Sequence, residues 1–360
     1  MFLQSDVARR RLAAQHVSRP LFGEPSEVVA WMGAVQAQDY LGSLWAVGLR
    51  LPEAAEASVE RALAERRVVR TWPMRGTLHL VAAADVRWML ELLTPRVVAG
   101  AAGLYRRLGL DEETFARGRK LFVKALGGGR QLTRTALYRV LEAAGISTQD
   151  SRGLNILGRL AQERLICFGA REGKQQTFVL LDEWVPGAKS MPREEALAEL
   201  ARRYFKSRGP ATVQDFAWWS GLTMREAAAG VGLVKESLSR ESVGGSDYWF
   251  SESTTAAGAD SRTAHLLPAY DEYTVAYRDR SAVLDPSHAR RPDSGNGIFS
   301  PTVVIGGQVL GTWKRTLKKG SVEISLNPFR PLEADEREAA AAAARRYGAF
   351  LGAASARLSL

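Results

Sequence analysis

The feature of this sequence that most constrains its fold is an order of local elements that recurs along the chain. Three helical segments followed by two short β-prone runs appear before residue 110, and the same outline returns between residues 111 and 188. A third occurrence begins at residue 194 with a long helix and a helix-turn-helix. Three helices and a hairpin are the outline of a winged helix. We therefore predict three tandem winged-helix units, alike in shape but not in aligned sequence.

In the first unit, the pattern of apolar residues predicts three helices, at residues 5–18, 25–37 and 56–67. Val68 starts the stretch "VVRTWPMRGTLHLV", in which β-branched and aromatic residues are interrupted by Pro73 and Gly76. These interruptions predict two short strands joined by a turn. Trp72 and Met74 are expected in the core or in the wall of a pocket.

The second unit has the clearest boundaries of the three. Asp111 is placed to cap the helix "EETFARGRKLFVKAL", and the glycines at 127–129 end it. The stretch "LTRTALYRVLEAAG" predicts a second helix that ends at Gly145, and "SRGLNILGRLAQERL" predicts a third. Two strands around a charged, glycine-containing turn are then predicted from "LICFGAREGKQQTFVLL".

In the third unit, Thr212 and Thr223 are candidate helix caps, and Gly221 lies in the turn between the helices. From residue 265 the chain changes character, because "HLLPAYDEYTVAYRDR" predicts a strand or two with a polar centre and "LDPSHARRPDSGNGI" predicts a loop. Gly306 and Gly307 then predict the turn of a β-hairpin. A further strand, "SVEISL", and a strong terminal helix complete the chain.

The expected fold is therefore α+β and helix-rich, in a chain of 360 residues that is long enough for several domains. Residues 1–110, 111–188 and 189–264 are expected to form the winged helices. Residues 265–360 are expected to form C-terminal strands, a hairpin and a helix that pack on them.

The charge of the chain favours a polyanionic partner. Lysine and arginine number 49 against 39 aspartates and glutamates, which gives a net charge of +10 and a pI near 9.9. Nucleic acid is the commonest polyanion, although many basic proteins are only soluble. Basic clusters at residues 8–11, 202–208 and 314–319 are spread along the chain. Any binding surface is therefore expected to be assembled from several segments.

Composition also excludes several classes of protein. The longest apolar runs fall far short of the roughly 20 residues that a membrane helix needs. The first residues do not resemble a secretory signal, which predicts a cytoplasmic, nucleoid-associated protein. A single cysteine, Cys167, excludes an internal disulfide and a thiolate metal cage. Asp271 and Glu272 have too few neighbouring ligands for a metal site, so ion pairs with Arg278 or Arg280 are favoured, and neither a metal nor a cofactor is expected.

The stretch "AVQAQDY" places Gln36 and Gln38 two residues apart in an apolar neighbourhood. In one interpretation these amides only satisfy loose backbone groups at the end of a helix. In the other they act together on a substrate. Residues two apart point about 200° apart on a helix but to the same side of an extended segment. If both amides share one water, the helix should therefore end or distort near Val35, and Asp39 is a candidate for supporting Gln36.

The chain resembles a family of bacterial winged-helix DNA-binding proteins over nearly its whole length, on four phrases in order: "GAVQAQDY", "RTWPMRGTLHLV", "LLPAYDEYTVAYRDR" and "VVIGGQVLGTWKR". Characterised members include a DNA glycosylase that confers resistance to azinomycin by unhooking interstrand crosslinks. The resemblance implies three winged helices in a C-shape around a basic channel, and removal of N7-alkylated purines without a metal. It also implies that Gln36 and Gln38 match a catalytic Gln-x-Gln motif, whereas a sister branch carries Gln-x-Asp.

These expectations combine into a monomeric, monofunctional DNA glycosylase that acts on double-stranded DNA and hydrolyses the N-glycosidic bond of N7-alkylated purines, crosslinks included. Gln36 and Gln38 would position the nucleophilic water, and Asp39 would support them. Ordinary glycoside hydrolysis uses two carboxylates, but a base that is already cationic leaves without an acid. One alternative is a non-catalytic winged-helix DNA-binding protein or transcriptional regulator, and another is a module that binds a small molecule or a protein.

DNA contact is expected from two stretches, through Arg70, Arg75, His79, Lys314, Arg315, Lys318 and Lys319. The first stretch can instead be a wing strand with exposed arginines and a hydrogen-bonded histidine. The hairpin around Gly306 and Gly307 can present its tip or its cationic edge to a groove, or it can be a sheet edge whose lysines prevent aggregation. The helix "TMREAAAGVGLV" has Arg225 as its only long cation, which predicts contact without sequence reading.

Overall fold

The computed structural model describes residues 4–252, 262–288 and 299–359. These residues form fifteen α-helices and thirteen strands, so the predicted α+β, helix-rich class is confirmed. The chain divides into two compact units, a larger one of Met1–Glu60 with Leu197–Leu360 and a smaller one of Arg61–Ala196. The domain boundaries at residues 110, 188 and 264 stay a prediction. Within the described ranges, no helix is both long and apolar enough to cross a membrane.

The first elements of the chain are α1 (Gln4–Ala14), α2 (Pro25–Met32), β1 (Ala34–Gln36), α3 (Tyr40–Gly48) and α4 (Glu56–Ala64). The helix predicted over residues 25–37 is therefore wrong at its end. Gly33 has a φ of +69°, a conformation that favours glycine, and it terminates α2. α3 is not predicted from the sequence, because "YLGSLWAVG" is apolar on nearly every side and shows no helical period.

The elements that follow, from β2 to α10, are β2 (Val68–Met74), β3 (Thr77–Ala82), α5 (Val86–Gly100), α6 (Ala102–Arg107), α7 (Glu112–Leu126), β4 (Leu132–Thr133), α8 (Arg134–Ala143), α9 (Arg152–Gln162), β5 (Ile166–Phe168), β6 (Thr177–Leu180) and α10 (Leu181–Trp184). β2 and β3 pair antiparallel, with a register shift between Thr71 and Met74. This hairpin confirms the two strands predicted around Pro73 and Gly76. Trp72 packs on Phe168 with ring centroids 5.0 Å apart, as expected of a core residue.

The smaller unit contains the best predicted part of the fold. From α7 to β6 the order is helix, strand, helix, helix, strand, strand, which contains every element predicted for residues 111–188. The short β4 is present in addition and was not predicted. Asp111 accepts a hydrogen bond from the Thr114 backbone N–H at 2.8 Å and so caps α7, which ends at Gly127 as predicted. The three strands pair in the order β4-β6-β5.

After α10 come α11 (Arg193–Arg208), α12 (Val213–Ser220), α13 (Met224–Val234), β7 (Ser239–Val243) and β8 (Ser246–Phe250). The predicted helix-turn-helix is confirmed in detail. Thr212 and Thr223 each form a capping box with the carboxylate three residues later, and Gly221 has a φ of +75° in the turn. β7 and β8 pair as an antiparallel hairpin.

The last elements are β9 (Ala264–Leu267), α14 (Glu272–Val275), β10 (Thr302–Ile305), β11 (Gln308–Lys318), β12 (Ser321–Pro328), α15 (Ala334–Phe350) and β13 (Ser355–Ser359). The strands form one sheet in the order β13-β12-β11-β10-β9, and the turn at Gly306 and Gly307 is confirmed. A second strand predicted after Leu267 is wrong, because Asp271 caps α14 there. β13, parallel to β12, is not predicted. Residues 289–298 of the predicted loop lie outside the described residues.

α15 packs closely on α3 and on the sheet. The Tyr347 ring lies 5.0 Å from Trp45 and 5.1 Å from Trp313, both edge to face. Gly48 lies where α3 meets Phe350, since an added Cβ would stand 2.7 Å from Phe350 Cδ2. The larger unit therefore depends on a glycine for the close approach of these two helices.

Candidate functional site

Gln36 and Gln38 lie in a break between two helices. α2 ends before Gly33, β1 is extended, and α3 begins at Tyr40 after the irregular residues 37–39. The helix therefore ends before Val35, which is the condition that two amides sharing one water would require. We call residues 34–39 the Gln-x-Gln link.

The two glutamines have different surroundings. Gln36 is only 7% exposed, and its Oε1 accepts a hydrogen bond from the Gln38 backbone N–H at 2.9 Å. The Gln38 side chain is exposed, and so is Asp39. The Asp39 carboxylate lies over the first turn of α3, since a Cβ added to Gly42 would be 2.7 Å from Oδ2. The Gln36 side chain is therefore buried, the Gln38 side chain is exposed to solvent, and the Asp39 carboxylate follows directly after them.

A buried ion pair holds the backbone that carries these amides. Arg208, at the end of α11, donates from Nη1 to Met32 O at 2.6 Å and from Nη2 to Ala34 O at 2.8 Å. Glu272, in α14, accepts from the Gln36 backbone N–H at 2.9 Å through Oε1. Its Oε2 accepts from Arg208 Nη2 at 2.6 Å and from Nε at 3.0 Å. We call this pair the Arg208–Glu272 clamp.

Two neighbours complete the hydrogen bonding of the clamp. Trp219 Nε1 donates to Glu272 Oε2 at 2.9 Å, and the indole ring lies 4.3 Å from the Arg208 guanidinium. Arg208 Nη1 also donates to Ser207 Oγ at 2.8 Å. Because both charged side chains are fully buried, these contacts replace the hydration that the charges would have in water.

The ion pairs expected at Asp271 and Glu272 exist, but the predicted partners Arg278 and Arg280 are wrong. Asp271 binds Arg50 through both carboxylate oxygens at 2.9 Å, and Glu272 binds the arginine of the clamp. α14 turns these carboxylates toward arginines that are distant in sequence, which local spacing does not indicate. In residues 4–252, 262–288 and 299–359, no three His, Cys, Asp or Glu side chains are grouped to hold a metal ion.

The residues predicted to contact DNA in the smaller unit are mostly inside it. Arg70 is buried, with its guanidinium 4.7 Å from the Phe168 ring. His79 is also buried, and its Nδ1 lies 3.1 Å from Thr77 O. Arg75 lies in the turn and is half-buried. The alternative of a hydrogen-bonded histidine describes His79, and DNA contact by these three residues stays a prediction.

The Gly306–Gly307 tip lies inside the larger unit. A Cβ added to Gly307 would be 3.0 Å from Ala8 Cβ, and the Gly307 carbonyl accepts a hydrogen bond from Tyr273 Oη at 2.7 Å. Insertion of this tip into a DNA groove, one of the two expectations for the hairpin, is therefore wrong, because α1 covers it.

The opposite end of the same strand is cationic and exposed. β11 continues beyond the end of β10, paired with β12 from Trp313 opposite Leu326 to Lys318 opposite Ser321. Because β13 lies on the far side of β12, β11 is the edge strand of the sheet there. Its exposed lysines are Lys314, Lys318 and Lys319. We call this segment, residues 314–319, the lysine hairpin.

Two of the four predicted cations on the lysine hairpin have partners within the protein. Arg315 is half-buried and donates to the Tyr347 hydroxyl. Lys318 Nζ donates to Glu323 Oε2 at 2.7 Å, and this hydrogen bond lowers the pKa of Glu323. In the described part of the chain, Lys314 and Lys319 form no ion pair. The edge of the sheet therefore offers these two ammonium groups for a polyanion.

Sequence reasoning does not assign Arg208 and Glu272 to the site. The available signals were a charged cluster at residues 202–208 and a polar centre in the "AYDEY" stretch, each among apolar residues. The basic cluster is interpreted as part of a binding surface and the polar centre as ion pairs, and neither signal indicates contact with β1.

Comparison with known proteins identifies the class to which this chain belongs. The profile of the AlkZ-like DNA glycosylases matches residues 29–350, a range that contains the Gln-x-Gln link and the lysine hairpin, and the chain belongs to this family. It is therefore an enzyme of the DNA glycosylase class, hydrolases that act on N-glycosyl bonds, and the resemblance read from the sequence is confirmed.

The comparisons also find individual relatives. An interstrand DNA cross-link repair glycosylase of Streptomyces sahachiroi is 28% identical over 342 residues, covering 88% of this chain and 89% of that protein. The solved structure of the Streptomyces sahachiroi DNA glycosylase AlkZ matches with a TM-score of 0.85 at 24% identity, over 99% of each chain. This structural likeness shows that the two chains share a fold.

Proposed function

We propose that this enzyme hydrolyses the N-glycosidic bond of N7-alkylated purines in double-stranded DNA, bulky adducts and interstrand crosslinks included. The observation that carries the proposal is the break between α2 and α3, where an extended strand carries one glutamine and the next glutamine is exposed. Support for crosslinked DNA as substrate comes from the 28% identical relative, which is named for that repair. A non-catalytic regulator is not favoured, because the family is one of glycosylases.

The chemistry suits uncharged side chains. An N7-alkylated purine already carries positive charge, so its departure as a neutral base requires no general acid. The enzyme has to place a water against the anomeric carbon and to tolerate an oxocarbenium-like sugar. Oriented amide carbonyls do both through their dipoles, at a site where water is otherwise limited. An undamaged purine lacks the charge and therefore stays bound to its sugar.

The residues divide these tasks. Gln38, which is exposed, presents its amide to the water, and Gln36, which is packed against the link, fixes the loop through its bond to the Gln38 N–H. Asp39 supports the pair by its charge, one residue further on. Phosphates are held by the exposed lysines of the lysine hairpin and by the half-buried Arg75, while phosphate contact by the buried Arg70 and His79 stays a prediction. The tandem winged helices curved around a basic channel, the monomeric state and the nucleoid location remain part of this proposal.

The direct test is base release from alkylated duplex DNA. Wild-type protein is expected to release 7-methylguanine from methylated DNA or to unhook a defined interstrand crosslink, measured by chromatography and denaturing gels. Gln36→Ala and Gln38→Ala are each expected to lower the single-turnover rate about 100-fold or more, because the first loosens the loop that holds Gln38 and the second removes the dipole that faces the water. Gln149→Ala, at an exposed glutamine of the smaller unit, is the control and should match wild type.

The two variants should differ in stability. Gln36→Ala removes a buried hydrogen bond and is expected to lower the free energy of unfolding by about 1 kcal/mol, whereas Gln38→Ala should leave it nearly unchanged. If wild type releases no base from simple or crosslinked lesions, the proposed reaction is wrong. Full activity of both variants would show that Gln36 and Gln38 are not required for catalysis.

A further inference from the structure

We propose that Arg208 and Glu272 are positioning residues for the Gln-x-Gln link, acting in place of a neighbouring strand along one edge of β1. This proposal rests on the function proposed above. Residues i and i+2 of a strand direct their backbone groups to the same edge. Arg208 donates to Ala34 O and Glu272 accepts from the Gln36 N–H, so the ion pair supplies the donor and acceptor that a partner strand would supply.

The clamp is connected to the two glutamines by a short series of hydrogen bonds. Glu272 fixes the Gln36 N–H, and the Gln36 Oε1 in turn fixes the Gln38 N–H at 2.9 Å. A displacement of Glu272 is therefore transmitted through two hydrogen bonds to both glutamines. Errors of about 1 Å in the position of a catalytic group cost about 100-fold in rate, so a fixed strand has a direct effect on turnover.

Stability alone does not account for this arrangement. A fully buried ion pair loses the hydration of both charges, and well-packed apolar side chains often stabilise a core equally well. Glu272 nevertheless receives hydrogen bonds from Gln36, from Trp219 and from two nitrogens of Arg208. A carboxylate bonded on both oxygens has a single allowed position, and this is the property that a positioning residue needs.

The adjacent carboxylate provides a matched control. Asp271 pairs with Arg50 in an equally buried bidentate ion pair, and it also accepts from the Tyr273 N–H at 2.9 Å to cap α14. The hydrogen bonds of Asp271 reach Arg50 and α14, whereas those of Glu272 reach β1. Loss of Asp271 therefore removes a comparable buried interaction without touching the backbone of the link.

The experiment compares Glu272→Gln, Arg208→Lys and Asp271→Asn in the full chain. A glutamine at 272 has one oxygen to offer, so it cannot accept from both Gln36 and the Arg208 guanidinium. A lysine at 208 keeps the charge but cannot reach Met32 O, Ala34 O and the carboxylate together. Both variants are expected to lose about 10- to 100-fold in the single-turnover rate of base release while the Kd for duplex DNA stays within about twofold. Asp271→Asn should lose stability to a similar degree and keep its rate within about threefold.

Hydrogen exchange of the peptide that contains residues 32–38 gives a readout that does not depend on activity. Amides of this peptide are expected to lose protection in Glu272→Gln and to keep it in Asp271→Asn, both measured below their unfolding temperatures. If wild type releases no base but this exchange pattern is found, the glycosylase reaction fails while the strand-holding role stands.

A double variant covers the case in which the single variants do not fold. Arg208→Met with Glu272→Leu replaces the ion pair by apolar side chains of similar size, so it removes the clamp without leaving a buried unpaired charge. A folded double variant with a reduced rate and unchanged Kd supports the proposal. A wild-type rate in any clamp variant, or an equal loss of rate in Asp271→Asn, overturns it.

Discussion

Among single residues, the two glutamines show what sequence spacing can and cannot predict. Their separation of two residues predicted that the helix must end near Val35 if both act on one side, and β1 meets that condition. The sequence does not predict that Gln36 is packed while Gln38 is exposed. Nor does it predict that the Gln36 backbone N–H is bonded by the carboxylate of Glu272, a residue 236 positions away.

His265 makes the stability of the larger unit depend on pH. Burial, with the nearby charges of Arg346 and Arg50, lowers its pKa from 6.5 to about 4. Above pH 6.5 the histidine is neutral in both the folded and the unfolded states. Between pH 6.5 and 4 mainly the unfolded state takes up the proton. The free energy of unfolding should therefore decrease as the pH is lowered, by up to about 3 kcal/mol.

The variant His265→Gln isolates this effect. Urea unfolding at pH 7, 6 and 5 should show a smaller decrease for the variant than for wild type. His16, whose pKa is also lowered by burial, titrates in both proteins, so its contribution cancels in the difference. Parallel curves for the two proteins would contradict the assignment.

At the level of helices and strands, prediction succeeded where capping and turn residues marked the ends of an element, and it failed where an element is almost completely buried. Asp111, Thr212 and Thr223 marked helix starts that the structure confirms. α3 was missed because seven of its nine residues are buried, so no polar face marks its period. β13 was missed because the alternation of Ala356 and Leu358 in "SARLS" is too short to predict a strand, and its place beside β12 depends on the preceding α15.

Replacing a glycine by alanine is expected to change the free energy of unfolding in opposite directions in two of the helices. Gly48→Ala places a Cβ against the Phe350 ring where α3 meets α15, and it should lower the free energy of unfolding by about 1–3 kcal/mol. Gly232→Ala, on the exposed side of α13 with nothing within 4 Å, should raise it by about 0.5–1 kcal/mol. Thermal unfolding of the two variants measures both. Equal shifts of the same sign would mean that helix propensity alone decides.

At the scale of the whole molecule, the net charge of +10 predicted a polyanionic partner, and membership of a DNA glycosylase family agrees with it. Charge did not predict which cations stay exposed. Arg208 and Arg50 are buried in ion pairs, and Arg70 is buried against an aromatic ring. The number of arginines therefore overstates the cations available to phosphates, and only the fold separates buried arginines from exposed ones.

The lysine hairpin should contribute measurably to the salt dependence of DNA binding. Lys314→Gln with Lys319→Gln is expected to weaken binding to random duplex DNA. The slope of log K against log salt should fall by about 2, because each phosphate contact contributes about 0.9. Lys120→Gln with Lys124→Gln on the exposed face of α7 changes the net charge equally and serves as control. Fluorescence anisotropy between 50 and 300 mM salt measures the slope, and identical slopes for the two double variants would remove the hairpin from the binding surface.

The placement of the glutamines in a short link, away from the lysine hairpin in the sequence, has an evolutionary consequence. Under the roles proposed above, substitutions at residues 36 and 38 would abolish base release without changing the lysines that bind DNA, and substitutions in residues 314–319 would change DNA affinity without changing the catalytic amides. Selection can therefore act on the two traits separately. Related proteins could therefore still bind damaged DNA after they have lost turnover. Such proteins would be recognised by sequences that retain the lysines but not the two glutamines.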